Sequence, residues 1–173
     1  MISPLFVIIF CVVIIFGFVV FFGAPYVPSQ KKYVKRAFDH FGLGAHDVLV
    51  DIGSGDGIIL RIASHYGARA VGYEINPLLV SISRLLSLSD ARVDVRLQNA
   101  WAAQLPKETT IIYAFAVNRD EKKLIALLQR EANRLQKPLR LLCYASPFRH
   151  LEATETFEAY HLYVFQPLQS KKA

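Results

Sequence analysis

The stretch Asp47-Val-Leu-Val-Asp-Ile-Gly-Ser-Gly-Asp-Gly57 decides the fold. A short apolar run breaks into three glycines at alternate positions and is followed by the apolar Ile58 to Ala63. Glycine tolerates left-handed backbone and puts no Cβ between the main chain and a ligand, so the pattern reads strand, tight turn, helix. A helix that starts there presents unpaired amide groups to whatever lies over the loop.

The pattern recurs downstream. Ala70-Val-Gly-Tyr-Glu74 reads as a strand, Asn76 as an N-cap with Pro77 at the first helical position, and Leu78 to Leu88 as a helix. Arg92-Val-Asp-Val-Arg-Leu97 alternates strictly, as a strand with one wet face does, and is expected at the sheet edge. Thr110–Ala116 and Leu139–Ala145 are continuous apolar runs of the kind buried on both faces. Between them Asn118 and Glu121 form a capping pair for a helix with Leu124, Leu128 and Leu135 inward, stopped before Pro138. Five strands alternating with helices predict a parallel sheet. The tail Phe157–Phe165 adds one more, giving an α/β, Rossmann-like, mostly parallel sheet of about six strands flanked by helices. Upstream, Gly23, Pro25 and Pro28 mark a linker. Ser29 then caps a helix that carries Val34, Phe38 and Phe41 on one face and ends near Gly42.

The 173 residues are 53% hydrophobic, enough for one folded domain and too many for a disordered chain. Charge is distributed unevenly, because the first charged residue is Lys31. Leu5 to Phe22 is an apolar run without charge, amide or hydroxyl, and as a helix it spans roughly 27 Å, close to a bilayer's hydrocarbon core. No Lys or Arg precedes it and Phe22-Gly23-Ala24 suits signal cleavage poorly, so a retained single-pass helix contacting the lipid bilayer through residues 5–22 is expected. Lys31, Lys32, Lys35 and Arg36 on the exit side place the following domain on the cytoplasmic face of the membrane. The expected division is an anchor at 1–23, a linker and first helix at 24–42, and the ligand-binding domain at 43–173. Two cysteines, Cys11 and Cys143, exclude a disulfide scaffold and a cysteine-based zinc cluster, and the five histidines lack metal spacing, so no metal is expected.

In an open parallel sheet the ligand lies beyond the carboxyl ends of the strands. There Asp51, Asp56 and Glu74 surround the glycine loop with carboxylates, which repel a pyrophosphate and suit a cationic ligand. No Gly-Lys-Ser/Thr follows, which excludes a P-loop. Glu74, at the end of the second strand, is placed to take ribose hydroxyls.

Val50-Asp-Ile-Gly-Ser-Gly-Asp-Gly57 followed by Gly72-Tyr-Glu-Ile-Asn-Pro77 resembles the first two motifs of class I S-adenosylmethionine-dependent methyltransferases. With Pro25-Tyr-Val-Pro-Ser29 and the apolar N-terminal segment, the chain is similar to the small membrane-anchored protein-lysine methyltransferases, the ATP synthase c-subunit enzymes and their prokaryotic relatives among them. The likeness covers about residues 25 to 148. It implies S-adenosyl-L-methionine as cofactor. Asp51, Gly53 and Gly55 would hold the methionine end, with Ser54, Asp56 and Gly57 completing the loop. Glu74 would bind the ribose, and Ile75 and Asn76 would flank the adenine. Tyr26 and Ser29 would close over the amino-acid end. Asn99, followed by Ala100, stands where many relatives carry an acidic residue toward the adenine amine, and an amide can still bond that edge.

Tyr113-Ala-Phe-Ala-Val-Asn118 ends the fourth strand, where the methyl acceptor approaches, and lacks the Asn/Asp-Pro-Pro-Tyr signature of enzymes that methylate base or glutamine nitrogens. Tyr113 and Phe115 are the expected acceptor-positioning residues, since an aromatic slot desolvates an ammonium and aligns the free amine. Trp101 and the histidines read as packing or surface residues. The net charge of +6 is scattered, which places nucleic-acid binding and RNA methylation behind the other readings. The expected function is methyl transfer from S-adenosylmethionine to a lysine of a membrane-associated protein. The alternatives are a small lipid-like acceptor or a non-catalytic cofactor-binding module.

Overall fold

The computed structural model describes residues 3–7, 9–10, 13, 30–116, 120–145 and 147–168. Most of the 5–22 run, Tyr26, Ser29 and Asn118 lie outside them. Among the described residues no helix is long and apolar enough to cross a membrane.

The elements in chain order are α1 (Lys31–His40), β1 (Val48–Ile52), α2 (Ile58–His65), β2 (Arg69–Glu74), α3 (Pro77–Leu86) and β3 (Val93–Leu97). After a single 3-10 turn at Ala100–Ala102 come β4 (Ile111–Ala116), α4 (Glu121–Leu135), β5 (Leu139–Ala145), β6 (Glu155–Phe157) and β7 (Tyr160–Phe165). The strands form one sheet in the order β3-β2-β1-β4-β5-β7-β6. β1 to β5 are parallel, whereas β7 runs antiparallel to both β5 and β6. β3 lies at one edge, as its alternation predicts.

Side chains alternate across the sheet and fill two cores. Leu49, Ala70, Ile111 and Leu142 face Val34 and Phe38 of α1 and Leu60 of α2, while Val50, Val71, Ile112 and Leu141 face Leu124 and Leu128 of α4. Both faces are therefore covered, which is why the central strands read as unbroken apolar runs.

Three expectations are corrected. The tail is a hairpin of two strands, so the sheet has seven strands. Glu158 takes left-handed backbone at the turn, φ 54°, where the sequence carries no glycine to announce it. α1 opens after Gln30, which makes no side-chain cap bond. α4 opens after Asp120, which makes no side-chain cap bond, and Glu121 Oε1 accepts from the amides of Arg149 and His150, at 3.0 and 3.3 Å, tying the loop after β5 to α4. Asn76 does cap α3, its Oδ1 accepting from the amides of Leu78 and Leu79.

The glycine loop is seated on β2. The amides of Gly53 and Ser54 both donate to the Tyr73 carbonyl, at 2.9 and 3.1 Å. Close approach of loop and strand requires Gly72, because a Cβ there would lie 2.5 Å from Ser54 Oγ and 2.6 Å from Leu60 Cδ1. Gly72→Ala is therefore expected to destabilise the chain by about 1–3 kcal/mol through overpacking. Urea unfolding measures this, and a wild-type midpoint would refute it.

Candidate functional site

The site grows from the ends of β1 and β2. Asp51, Gly72 and Tyr113 share one register across β2, β1 and β4 and so project to the α1 and α2 side of the sheet. Glu74, two residues beyond Gly72, lies on the same face and is only 8% exposed. Its Oε2 accepts from the Gly55 amide at 2.9 Å, and its Oε1 from the amides of Ile75 and Asn76, both at 2.8 Å. One carboxylate thus joins the glycine loop after β1 to the turn that opens α3. With two amides on Oε1 and one on Oε2, the second oxygen retains a lone pair for a further donor.

Asp51 is 3% exposed. Burial, with the negative charges of Glu74 and Asp56 added, pushes its carboxyl up to about 8. Among the described residues only Asp56 of these three carboxylates has an ionic partner, Arg61 Nη2 at 3.6 Å. Asp56 Oδ1 also accepts from the Ile58 amide at the start of α2, at 3.1 Å. Among the described residues no cation pairs with Asp51 or Glu74. Gly53 and Gly57 take left-handed backbone, φ 76° and 79°; a Cβ on Gly53 would meet nothing within 4 Å, so the space there is open, whereas one on Gly57 would lie 2.0 Å from Ser83 Oγ. Ser54 Oγ, buried in the loop, has no hydrogen-bond partner among the described residues.

Asn99 N-caps the 3-10 turn, its Oδ1 accepting from the Trp101 amide at 3.0 Å, and Ala100 behind it is buried. An amide oxygen with one bond made can accept another. On the other flank Tyr113 is 2% exposed and packs edge-on against Phe38, whereas Phe115 is 37% exposed at the rim. The structure adds two residues that the linear reading overlooked. Tyr144 lies beside Phe115 with ring centroids 5.7 Å apart, and Tyr160 lies 4.9 Å from Tyr144 and 6.4 Å from Tyr113. Their meeting depends on the β5–β7 pairing, for which the sequence carries no local signal.

The chain is 30% identical over 158 residues to the ATP synthase c-subunit lysine N-methyltransferase of Xenopus laevis, covering 86% of this chain and 68% of that protein. The chain belongs to that family. The human protein of the same name is 30% identical over 129 residues, which cover 73% of this chain and 53% of the human one. An RNA methyltransferase from Salinibacter ruber, solved with S-adenosyl-L-homocysteine, superposes with a TM-score of 0.72 at 26% identity, covering 85% of this chain and 98% of that one. No family model matches. The enzyme is an S-adenosylmethionine-dependent methyltransferase. The residues present fit that cofactor: an open glycine loop is ringed by carboxylates short of positive charge, and the ligand carries a sulfonium and an ammonium group.

The raised Asp51 value has a stability consequence. Below about pH 4 the carboxyl is neutral in the folded and the unfolded chain, and between about pH 4 and about pH 8 the folded chain keeps a proton that the unfolded chain releases. Stability of the cofactor-free enzyme therefore falls as pH rises through that window. Asp51→Asn is expected to remove the slope, so that its thermal midpoint exceeds that of wild type at pH 8 and the two converge at pH 4. Parallel curves of Tm against pH would contradict the assignment.

Proposed function

We propose that the enzyme transfers the methyl group of S-adenosylmethionine to a lysine side chain of a membrane-associated protein. The observation that carries the reading is the open, carboxylate-ringed loop beside an aromatic wall, in a chain whose 30%-identical relatives bear the name lysine N-methyltransferase.

When bound, the cofactor supplies a methyl group activated by positive sulfur. The chain's own residues bind and orient it. In this reading Asp51 and the backbone at Gly53 and Gly55 hold the cationic amino-acid end, aided by Ser54, Asp56 and Gly57. Glu74 binds the ribose through the lone pair its loop bonds leave on Oε2. Ile75 and Asn76 flank the adenine, and Asn99 and the Ala100 amide meet its edge. Tyr26 and Ser29 close over the amino-acid end. Tyr113 and Phe115 exclude water from the acceptor nitrogen and favour its neutral form, since a desolvated ammonium loses its proton more readily. In-line approach of that neutral nitrogen to the methyl carbon is then a matter of positioning.

Residues 1–23 form a single-pass anchor in this proposal, 24–42 the linker and first helix, and 43–173 the cofactor-binding domain on the cytoplasmic side. The support is the apolar run at 5–22 and the cations at Lys31, Lys32, Lys35 and Arg36. Anchoring raises the local concentration of a substrate held in the same membrane.

A second reading, RNA as acceptor, is favoured by the name of the Salinibacter ruber structure. The full-length chain in detergent, given labelled cofactor with membranes and with total RNA, separates the two. Label on lysine in a membrane protein is expected. Label confined to RNA or to a lipid-like molecule would overturn the lysine reading, and cofactor binding with no labelled product would favour a non-catalytic module. Glu74→Ala is expected to weaken cofactor binding about a hundredfold in calorimetry, because three loop amides lose their acceptor along with the ribose contact. Unchanged affinity would refute the cofactor assignment.

A further inference from the structure

A recess of about 230 Å³ opens at the carboxyl edge of the sheet, lined by Tyr33, Tyr144, Glu158, Ala159 and Tyr160. Tyr33 comes from α1, Tyr144 from the end of β5, and the others from the β6–β7 turn and the start of β7. Tyr144 pairs in register with Phe115 on one side and Tyr160 on the other. Tyr160 packs against Tyr113, which shares the register of Asp51. An aromatic wall therefore runs from the recess to the carboxylate end of β1. Burial pushes the Tyr160 hydroxyl up to about 12.

Backbone strain concentrates at the same place. Three non-glycine residues among those described have positive φ, and one, Gln136, caps the end of α4, where such backbone is ordinary. Glu158, φ 54°, sits in the two-residue hairpin turn, which favours positive φ, and this leaves Ala145, φ 83°, as the strained position. They flank the recess, since Ala145 follows Tyr144 and donates its amide to the Ala159 carbonyl at 2.9 Å. An alanine in this conformation is costly, and such outliers gather at ligand clamps.

Among the described residues the lining has one charge. The Glu158 side chain is 31% exposed and pairs with Arg36 Nη2 at 2.7 Å, while the Arg36 guanidinium rests over the Phe157 ring, 5.8 Å from its centroid. A cation on a carbon stem, Arg36, thus already pairs with one oxygen of this carboxylate. Three tyrosine rings and one carboxylate make a site for a second such group, because ring faces attract a cation and its methylenes pack on the same surface.

We propose that this recess is the acceptor slot: Tyr33, Tyr144 and Tyr160 hold the methylene stem of the incoming lysine, and Glu158, drawn from Arg36, meets its ammonium. The proposal rests on the lysine reading above and assigns the approach to that site. Glu158 captures the charged form at the mouth. The ammonium gives its proton to water before the neutral amine passes along Phe115 and Tyr113 to the methyl group.

The test uses the full-length chain in detergent with tyrosine rings isotopically labelled. n-Butylammonium, the lysine side chain without its backbone, is titrated against n-butanol, its neutral counterpart. Saturable shifts of the Tyr144 and Tyr160 ring signals are expected with the ammonium and not with the alcohol. Glu158→Gln is expected to weaken this binding roughly tenfold and to raise the KM of the protein acceptor by a similar factor without changing cofactor affinity. Arg36→Gln removes the competing cation and is expected to leave both unchanged or improved. Equal response to the alcohol, no effect of Glu158→Gln, or the same loss in both variants would overturn the slot, the last by showing that Glu158 is only a staple to α1. Label on lysine with no Glu158 effect removes the slot and keeps the lysine acceptor. Label on another group removes the lysine acceptor, and the slot's role with it.

Discussion

The site depends on one side chain accepting three main-chain amides. Glu74 Oε2 holds Gly55 and Glu74 Oε1 holds Ile75 and Asn76, so the loop after β1 and the turn after β2 are fixed to one another by a single carboxylate. A carboxylate taking several backbone amides compensates its own burial, which is what allows a second acid, Asp51, to lie beside it at the strand ends. Gly72 has the complementary role. It lets Ser54 sit against β2, and the Tyr73 carbonyl fastens the loop from beneath. Without these contacts the glycines would be free to take many shapes, and the open space above them would have no defined floor.

The proposed division between cofactor end and acceptor end follows from sheet order. β2 and β1 bring acids to the centre of the carboxyl edge, while β4, β5 and β7 bring aromatic residues to the flank. Charge and apolar surface are thereby separated along one edge of one sheet. A cationic nucleoside and the side chain it modifies need opposite environments, because one must be held as an ion and the other must react as a neutral amine.

Local chemistry made most of this legible in advance. The strand–glycine–helix pattern at 47–63, the Asn76–Pro77 helix start and the alternation at 92–97 each express a preference that acts over a few residues, and the structure shows each of them. The parts that escaped prediction are those settled by distant partners. Glu121 looks like a capping residue in the chain, yet folding brings it the amides of Arg149 and His150. The turn at Glu158 and Ala159 has neither glycine, asparagine nor proline, so a hairpin read as one strand. Tyr144 and Tyr160 are separated by fifteen residues in the chain and become neighbours only through antiparallel pairing. Glu74 was legible as an acid at a strand end, but its role as the fastener of the loop was not, since the Gly55 amide that it binds arrives from another strand's end.

The shortage of positive charge around Asp51 also bears on what leaves the enzyme. Substrate and product differ there by one formal charge, because methyl transfer turns a sulfonium into a neutral thioether. A proposed cradle of acids with few cations distinguishes the two by electrostatics. In the proposed arrangement, discharging the sulfur removes one attraction between the nucleoside and the acids at the ends of β1 and β2.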